Sequence, residues 1–189
     1  MKHVRDDSRP SGRLLRRPRI PSEAGPLPNR AMPLSTLCLH CGMCCDGTLF
    51  TQVPLQPNES GSLTRRGLAL TAREDGAVVL PQPCAALDGR CCTVYTERPE
   101  ACRRYRCQLL NALAEGEVSL DEAKGVVDAA HARVEAVARA LPSVEGGPSS
   151  SMRRARAAVA TLPPEAREVL TQAEAFLDRH FRGRFRRSG

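Results

Sequence analysis

The sequence contains no tryptophan and few aromatic residues of any kind. Aromatic residues account for 3% of its 189 residues, and Ala and Leu supply much of the apolar remainder. Because large aromatic side chains bury the most apolar area per residue, a core built almost without them is modest. We therefore expect the fold to be partly helical and to benefit from a covalent or metal crosslink.

Long apolar runs are also missing. No stretch approaches the roughly 18 to 20 apolar residues that a transmembrane helix needs. The basic N-terminus leads from Arg16 and Arg17 into a proline-rich segment instead of an apolar one, so the sequence predicts neither a secretory nor a twin-arginine signal. We expect a cytoplasmic protein with no membrane contact. In the reducing cytosol its nine cysteines are better explained as metal ligands than as disulfides, and an odd number excludes complete pairing.

The net charge of +7 is concentrated at the two ends of the chain. Residues 1–30 and 152–189 each carry a net charge of +5, whereas residues 31–151, which contain every cysteine, carry −3. A nucleic-acid-binding domain carries its basic patch on the folded part. Nucleic acid is therefore not the expected partner, while the oligomeric state and a protein partner are left open by the sequence.

Composition divides the chain into four segments. Residues 1–35 are rich in Arg, Pro, Ser and Gly and are predicted to form a disordered basic tail, and the true start of the protein could lie at Met32. Residues 36–142 are predicted to form a cysteine-cluster metal-binding domain with C-terminal helices. A linker over residues 143–151 leads to a basic helical extension over residues 152–189.

The cysteine-bearing region is predicted to contain short strands followed by a helix. Strands are expected at Thr48–Pro54 and Ala77–Leu80, where brief apolar stretches lie between turns. Pro99 suits the first turn of a helix that includes Cys102–Leu113 and ends near Gly116.

The second half of the chain is predicted to be helical. A long helix begins after Ser119, which forms a capping box with Glu122, and its apolar residues recur every three or four positions as far as Leu141. Further helices are expected from Met152 and over Pro164–Phe181. The predicted fold class is α+β and predominantly α-helical, with a small cysteine-cluster metal-binding head, short strands, packed helices and disordered termini.

The cysteines form two dense sequence clusters. The first is CLHCGMCC over residues 38–45, and the second is PCAALDGRCCTVYTERPEACRRYRC over residues 83–107. A CxxC pair directs two sulfurs at one ion from a tight turn, which Gly42 relieves sterically. Structural zinc and a cubane cluster each need four ligands, so the first cluster either suffices alone or shares ligands with the second.

The spacing indicates which cysteines share a metal. Cys44 and Cys45 are neighbours whose side chains diverge in any regular backbone, so one of them is expected to face a different partner from Cys38 and Cys41. Cys102 and Cys107 lie roughly 140° apart around an ideal helix with about 100° per residue. Either the helix breaks between them or they serve separate centres, and the sequence is compatible with one site or two.

The metal itself is not decided by these ligands. All-thiolate surroundings suit zinc and iron-sulfur clusters alike. The CxxCxxC spacing resembles that of bacterial ferredoxins but lacks their following Cys-Pro, and the CxxxCxxC spacing of radical enzymes that use S-adenosylmethionine is absent. No nucleophile triad, nucleotide-binding glycine loop or paired catalytic carboxylate is recognisable, so the sequence does not indicate an enzyme.

The motif CxxCGxCC, followed by PC and by CxVYxxRPxxCRxYxC, closely resembles the CxxCxxCC (YkgJ-type) family of cysteine-cluster proteins, described as zinc- or iron-chelating. The resemblance covers residues 38 to about 113. It implies that the cluster positions are Cys38, Cys41, Cys44, Cys45, Cys84, Cys92, Cys102 and Cys107. Cys91 is then an extra thiol, and Tyr95, Arg98 and Pro99 match the signature without an assigned role. A flagellin lysine methylase group has a similar cysteine motif, which implies methyl transfer as an alternative.

The remaining polar residues near the cysteines are weaker candidates. His40 is expected to be a solvent-facing spacer, and His131 and His180 to be surface or packing residues. Asp46 and Glu97 flank cysteines and are candidates for hydrogen bonds to ligands, although solvated carboxylates are more common.

Three hypotheses follow from the sequence. The first is a zinc-stabilised interaction module, which would lose its folded head on metal removal. The second is an iron-sulfur protein that transfers electrons or supports the modification of another protein. The third is a zinc-stabilised nucleic-acid-binding module, which steep salt dependence of binding would reveal.

Overall fold

Helices dominate the computed structural model, which describes residues 31–142 and 150–182. A 3₁₀ turn lies at Tyr95–Glu97 and a π-helical turn at Asp178–Arg182. The α-helices of these ranges are α1 (Ala31–Cys41), α2 (Ser60–Arg65), α3 (Glu100–Arg104), α4 (Gln108–Glu115), α5 (Leu120–Ala140), α6 (Ser151–Ala157) and α7 (Pro164–Leu177). None of them is long and apolar enough to cross a membrane.

The strands are short and antiparallel. β3 (Val78–Pro81) lies between β1 (Gln52–Pro54) and β2 (Thr71–Ala72) in a three-stranded sheet. β4 (Leu87–Asp88) and β5 (Cys91–Cys92) form a separate hairpin. Together with the helices, these small sheets confirm the predicted α+β, predominantly helical class.

The main hydrophobic core lies among the helices. Ser119 and Glu122 form the predicted capping box at the start of α5. The buried face of α5 consists of Ala123, Val127, Ala130 and Val137, which packs with residues of α1, α4, α6 and α7. Small side chains on this face allow close helix packing, so the core forms despite the shortage of aromatic residues.

A second, smaller core lies under the sheet. It contains Val53, Leu63, Leu68, Leu80, Cys84 and Ala86, contributed by β1, α2, β3 and the loops around them. Leu63 is the buried residue of α2, and Leu80 lies at the centre of β3, so these two elements meet in this core. The segment between α1 and α4 thus contributes a small core of its own, separate from the main core among the other helices.

Several predicted boundaries differ from those in the structure. The helix α1 begins at Ala31, inside the predicted tail over residues 1–35, and Pro33 is tolerated because it lies in the first helical turn. The predicted strand Thr48–Pro54 is ordered as β1 only from Gln52, since residues 48–51 form bends and turns. The other predicted strand is shifted by one residue, to Val78–Pro81.

The predicted helix over Cys102–Leu113 is wrong as a continuous element. α3 ends at Arg104, Tyr105 adopts an extended backbone, and Cys107 caps a new helix by accepting a hydrogen bond from the Leu110 amide at 3.4 Å. The new helix ends at Gly116, which adopts the left-handed conformation at φ 79°. The break anticipated between Cys102 and Cys107 is therefore present.

The C-terminal helices match their predictions closely. α6 begins at Ser151 after the cap residue Ser150, and α7 begins at Pro164 and continues into the π-helical turn. Outside the described residues lie residues 1–30 of the predicted tail, most of the predicted linker and the basic end after Arg182.

Candidate metal centre

A partly open cavity of about 280 Å³ is lined by residues of both cores. Its wall contains both tyrosines of the chain, several Leu and Val side chains, and eight of the nine cysteines. These eight are the predicted cluster positions, namely Cys38, Cys41, Cys44, Cys45, Cys84, Cys92, Cys102 and Cys107. The fold therefore brings together thiols that lie as much as 69 residues apart in the chain.

Four of these thiols come from the helical side of the cavity, and we call them the helix group. Cys38 and Cys41 lie three residues apart on α1, so they share one face of that helix. Cys44 follows in the turn after α1, and Cys107 caps the neighbouring helix α4. All four pack against the main hydrophobic core.

The other four thiols come from the sheet side, and we call them the hairpin group. The backbone amide of Cys84 donates a 2.7 Å hydrogen bond to the carbonyl of Cys45, and the Leu87 amide donates one of 3.0 Å to the carbonyl of Cys84. Leu87 is paired with Cys92 across the hairpin, and Cys102 lies on α3 beside the second core. The members of this group are Cys45, Cys84, Cys92 and Cys102.

The turn between the two groups is fixed by Gly42. This residue has φ 67°, and a Cβ atom on it would lie 2.8 Å from the carbonyl oxygen of Arg90. The amides of Cys45 and Asp46 both donate hydrogen bonds to the Gly42 carbonyl, at 2.7 and 3.1 Å. The tight turn directs Cys44 to the helices and its neighbour Cys45 to the hairpin, as the divergence of adjacent side chains predicts.

Burial controls the acidity of the helix group. It raises the pKa of Cys41 to about 12 and that of Cys107 to about 11. Cys44 is raised well above the usual thiol pKa by burial and then by its neighbours Cys41, Cys107 and Cys38. Cys38 also has a raised pKa, again chiefly through burial. These four thiols are therefore protonated near neutral pH.

The hairpin group differs because two of its thiols share a hydrogen bond. This bond between Cys45 and Cys92 lowers the pKa of Cys92 to about 6 and raises that of Cys45. Burial raises the pKa of Cys84, and it raises that of Cys102 to about 11. Cys92 is thus the member of this group that carries a thiolate near neutral pH. The two groups adjoin, because Cys44 also raises the pKa of Cys45.

Cys91 lies outside the cavity wall. It is exposed on β5, and its thiol donates to the carbonyl of Leu39 at 3.5 Å. Adjacent residues of a strand point to opposite sides, so Cys91 faces away from the position of Cys92.

The acidic candidates do not reach the cavity. Asp46 accepts a hydrogen bond from the Thr48 amide at 2.7 Å, and Glu97 forms an ion pair with Arg66. Within the part of the chain that the structure describes, the cavity wall contains no Asp, Glu or His. The common metal ligands of the wall are therefore the cysteine sulfurs, beside the amide groups of two glutamines and the hydroxyls of two tyrosines.

Two histidines join α1 to α5 instead. The His131 Nε2 donates to the carbonyl of Cys41 at 2.7 Å, and His40 Nε2 donates to the carboxylate of Asp128 at 3.0 Å. His131 therefore satisfies a carbonyl at the end of α1. His40 keeps 33% of its side-chain surface exposed and lies outside the cavity wall, as expected of a solvent-facing spacer. His180 contacts the ring of Phe176, as a packing residue would.

The C-terminal segment completes the cavity wall. Phe50 and Tyr105 pack edge to face with their ring centres 4.7 Å apart, and the Tyr105 hydroxyl donates to the carbonyl of Phe181 at 3.3 Å. All three residues line the cavity. Phe181 was not predicted as a site residue, because its contact with Tyr105 spans 76 residues of chain and leaves no local sequence signal.

The cavity wall fits a metal that prefers sulfur. Thiolates select zinc, copper(I) and iron-sulfur clusters, whereas calcium and magnesium prefer oxygen ligands. Over residues 31–142 and 150–182, no three Cys, His, Asp or Glu side chains are arranged to hold a metal ion as they stand. Metal coordination therefore requires the cysteine side chains to move closer together than they are in this structure.

Residues 37–125 match a family model named CxxCxxCC and described as “Putative zinc- or iron-chelating domain”. The matched segment contains all nine cysteines and ends within α5, so it excludes α6 and α7. No curated protein and no solved structure matches the chain.

Proposed function

We propose that the CxxCxxCC domain of this chain is a metal-binding module with two centres, each of which holds zinc or iron through four thiolates. The supporting observation is the cavity wall, in which all eight predicted cysteines occur and to which no described carboxylate or imidazole contributes. The helix group binds one centre and the hairpin group the other. Zinc bound in this way would crosslink the surrounding chain, whereas an iron-sulfur cluster would supply electron transfer.

The number of thiols in each group supports two centres. Structural zinc and a [4Fe–4S] cluster both take four cysteine ligands. The main core supports the helix group, whereas the second core supports Cys45, Cys84 and Cys102 of the hairpin group. One shared centre would require thiols from both cores to meet at a single ion, against the divergence of Cys44 and Cys45.

Complete protein ligation favours a structural or electron-transfer role. A catalytic zinc site keeps one coordination position open for water or substrate. Each group here offers four thiols and leaves no position open. Metal binding would crosslink α1 to α4 through the helix group, and the Cys45 turn to the hairpin and α3 through the hairpin group. The first candidate is therefore a metal-stabilised module.

The second candidate places an iron-sulfur cluster in the helix group. Cys38, Cys41 and Cys44 have the CxxCxxC spacing, and the fourth thiol is distant in sequence. Ferredoxin-type clusters use the same arrangement of three close cysteines and one remote cysteine. A role in redox chemistry or in the modification of another protein would follow from such a cluster.

Metal and acid-labile sulfide analysis of protein purified without oxygen tests both candidates. Two equivalents of zinc in colourless protein would support the metal-stabilised module. Iron and sulfide in matching amounts, with visible absorption, would support the iron-sulfur candidate. Protein that contains no metal and takes up neither zinc nor iron would overturn the proposed function.

A further inference from the structure

Arg98 is a half-buried cation that lines the cavity shared by the two cysteine groups. It follows the 3₁₀ turn Tyr95–Glu97, and its guanidinium carbon lies 3.8 Å from the centre of the Tyr95 ring. Its side chain lines the cavity, and its Nε is buried without a hydrogen-bond partner among residues 31–142 and 150–182. A buried donor that lacks an acceptor is costly unless it serves a ligand or a charged group.

The helix group contacts Arg98 through Tyr95. The Tyr95 hydroxyl donates a hydrogen bond to the Cys38 sulfur, while the guanidinium of Arg98 lies over the face of the same ring. The positive charge of Arg98 also lowers the pKa of Cys38, although burial dominates and leaves that pKa raised. Arg98 and Cys38 thus line the same cavity, with the Tyr95 ring in contact with the guanidinium.

The hairpin group shares the cavity wall with the same cation. Cys102 lies four residues after Arg98, on α3, and both residues line the cavity. The charge of Arg98 acts to lower the pKa of Cys102 and of Cys92, after the larger effects of burial and of the Cys45 bond. Arg90, the other basic residue in the described part of the wall, is paired with Asp128 at 2.9 Å.

Metal loading creates a negative charge that needs such a cation. Four thiolates around a divalent ion leave a net charge of about −2 per centre, and two centres share this cavity. Inside a protein, charges interact far more strongly than in water, so an unpaired cation in this cavity has a large effect. Groups that hydrogen-bond to metal ligands typically change metal affinity by about 10–100-fold.

We propose that Arg98 is the shared counter-cation of both metal centres, and that it offers its free Nε–H to their thiolates. This proposal rests on the proposed function. Arg98, which with Pro99 immediately precedes α3, thereby gains a role that the family signature did not assign. Arg98 is a positioning residue, because it acts on the thiolates and not on the metal.

The test measures metal affinity in variants that retain one group each. Cys102→Ser leaves the helix group intact, and Cys107→Ser leaves the hairpin group intact and keeps a hydroxyl cap on α4. In each background, Arg98→Gln and Arg98→Met remove the charge, and Arg98→Lys retains it. Zn²⁺ affinity is measured by competition with a chelator, and Co²⁺ absorption reports the thiolate ligand field.

We expect Arg98→Gln and Arg98→Met to weaken Zn²⁺ binding by about 10–100-fold in both backgrounds. Arg98→Lys should recover much of this loss, which a purely structural role of the side chain would not explain. Arg103→Gln is the matched control, since it removes the same charge from an exposed position on α3 and should leave affinity unchanged. Gln and Met differ in polarity, so a folding defect in one leaves the other informative.

Each remaining outcome overturns the proposal. A loss confined to one background would mean that Arg98 serves one centre only. Unchanged affinity in both backgrounds would exclude the counter-cation while leaving the metal-binding function intact, because the Arg98-containing parents would still bind. Failure of those parents and of the wild type to bind Zn²⁺ would instead remove the proposed function itself.

Discussion

The amide of Cys84 donates a 2.7 Å hydrogen bond to the carbonyl of Cys45, across 39 residues of chain. This contact places the second cysteine cluster of the sequence directly beside the end of the first. It separates Cys45 from its neighbour Cys44, which packs against the helical core. The division of eight thiols into a helix group and a hairpin group begins at this hydrogen bond.

Proton release should distinguish the two groups. Thiols must lose their protons to bind a metal, so each thiol that is protonated before binding releases one. The helix group has four raised pKa values, whereas the hairpin group contains Cys92 with a pKa of about 6. Near neutral pH we expect four protons per Zn²⁺ in Cys102→Ser and three in Cys107→Ser. Calorimetry in buffers of different ionisation enthalpy measures this number.

The same pKa values set the pH dependence of affinity. Because protons compete with the metal, affinity should rise with pH in both variants, and more steeply for the helix group. Equal slopes for Cys102→Ser and Cys107→Ser would contradict the assigned thiolate at Cys92.

Replacement of Gly42 by alanine should destabilise the turn that contains Cys44 and Cys45. A left-handed backbone costs an L-residue about 1–2 kcal/mol, and a close contact adds about 1–3 kcal/mol. Gly42→Ala incurs both costs, since its Cβ would lie 2.8 Å from the Arg90 carbonyl. Gly116→Ala is the control, because Gly116 has φ 79° but no atom within 4 Å of the added Cβ. Urea unfolding should show the larger loss for Gly42→Ala; equal losses would exclude the steric role of the turn.

A network centred on Glu174 of α7 links the C-terminal helices to the segment that contains Thr48. Arg156 donates to Glu174 at 2.7 Å and to the carbonyl of Thr48 at 2.9 Å, and Arg182 contacts the same two groups. Burial opposes ionisation of Glu174, but the two arginines outweigh it and hold its pKa below the usual value. This network connects α6 and α7 to the segment that follows Cys45.

Removal of the Glu174 charge should therefore destabilise the fold in a pH-dependent way. We expect Glu174→Gln to lower the free energy of unfolding by about 1–3 kcal/mol near neutral pH. A lowered folded pKa gives stability that is present above the ordinary Glu value of 4.5 and is lost as pH falls through the folded value. The difference between wild type and variant in urea unfolding should thus shrink in acid. Glu135→Gln, at an exposed position of α5, should show no such difference.

Local sequence patterns predicted much of the helical structure. The capping box at Ser119 and the apolar spacing after it define α5, and both depend on residues close in sequence. The family resemblance over residues 38 to about 113 is confirmed by the match over residues 37–125. By contrast, α1 was missed because Arg and Pro dominate the composition of the segment before Cys38.

The membership of each cysteine group was not predictable from spacing. The adjacency of Cys44 and Cys45 indicated that their side chains diverge. The five-residue spacing of Cys102 and Cys107 indicated either a break in the helix or separate centres. The assignment of Cys84 and Cys107 to opposite groups depends on a strand hairpin, a second core and a helix cap, all of which are tertiary features. That the eight cysteines are metal ligands stays a prediction.

Native mass spectrometry of the metal-loaded protein tests the central claim most directly. We predict two metal centres in the wild type and in Cys91→Ser, whose thiol lies outside the cavity wall. Cys107→Ser and Cys102→Ser should each retain one centre, and the double variant should retain none. A single centre in the wild type, lost completely in both single variants, would show that the eight thiols serve one site and would contradict the account.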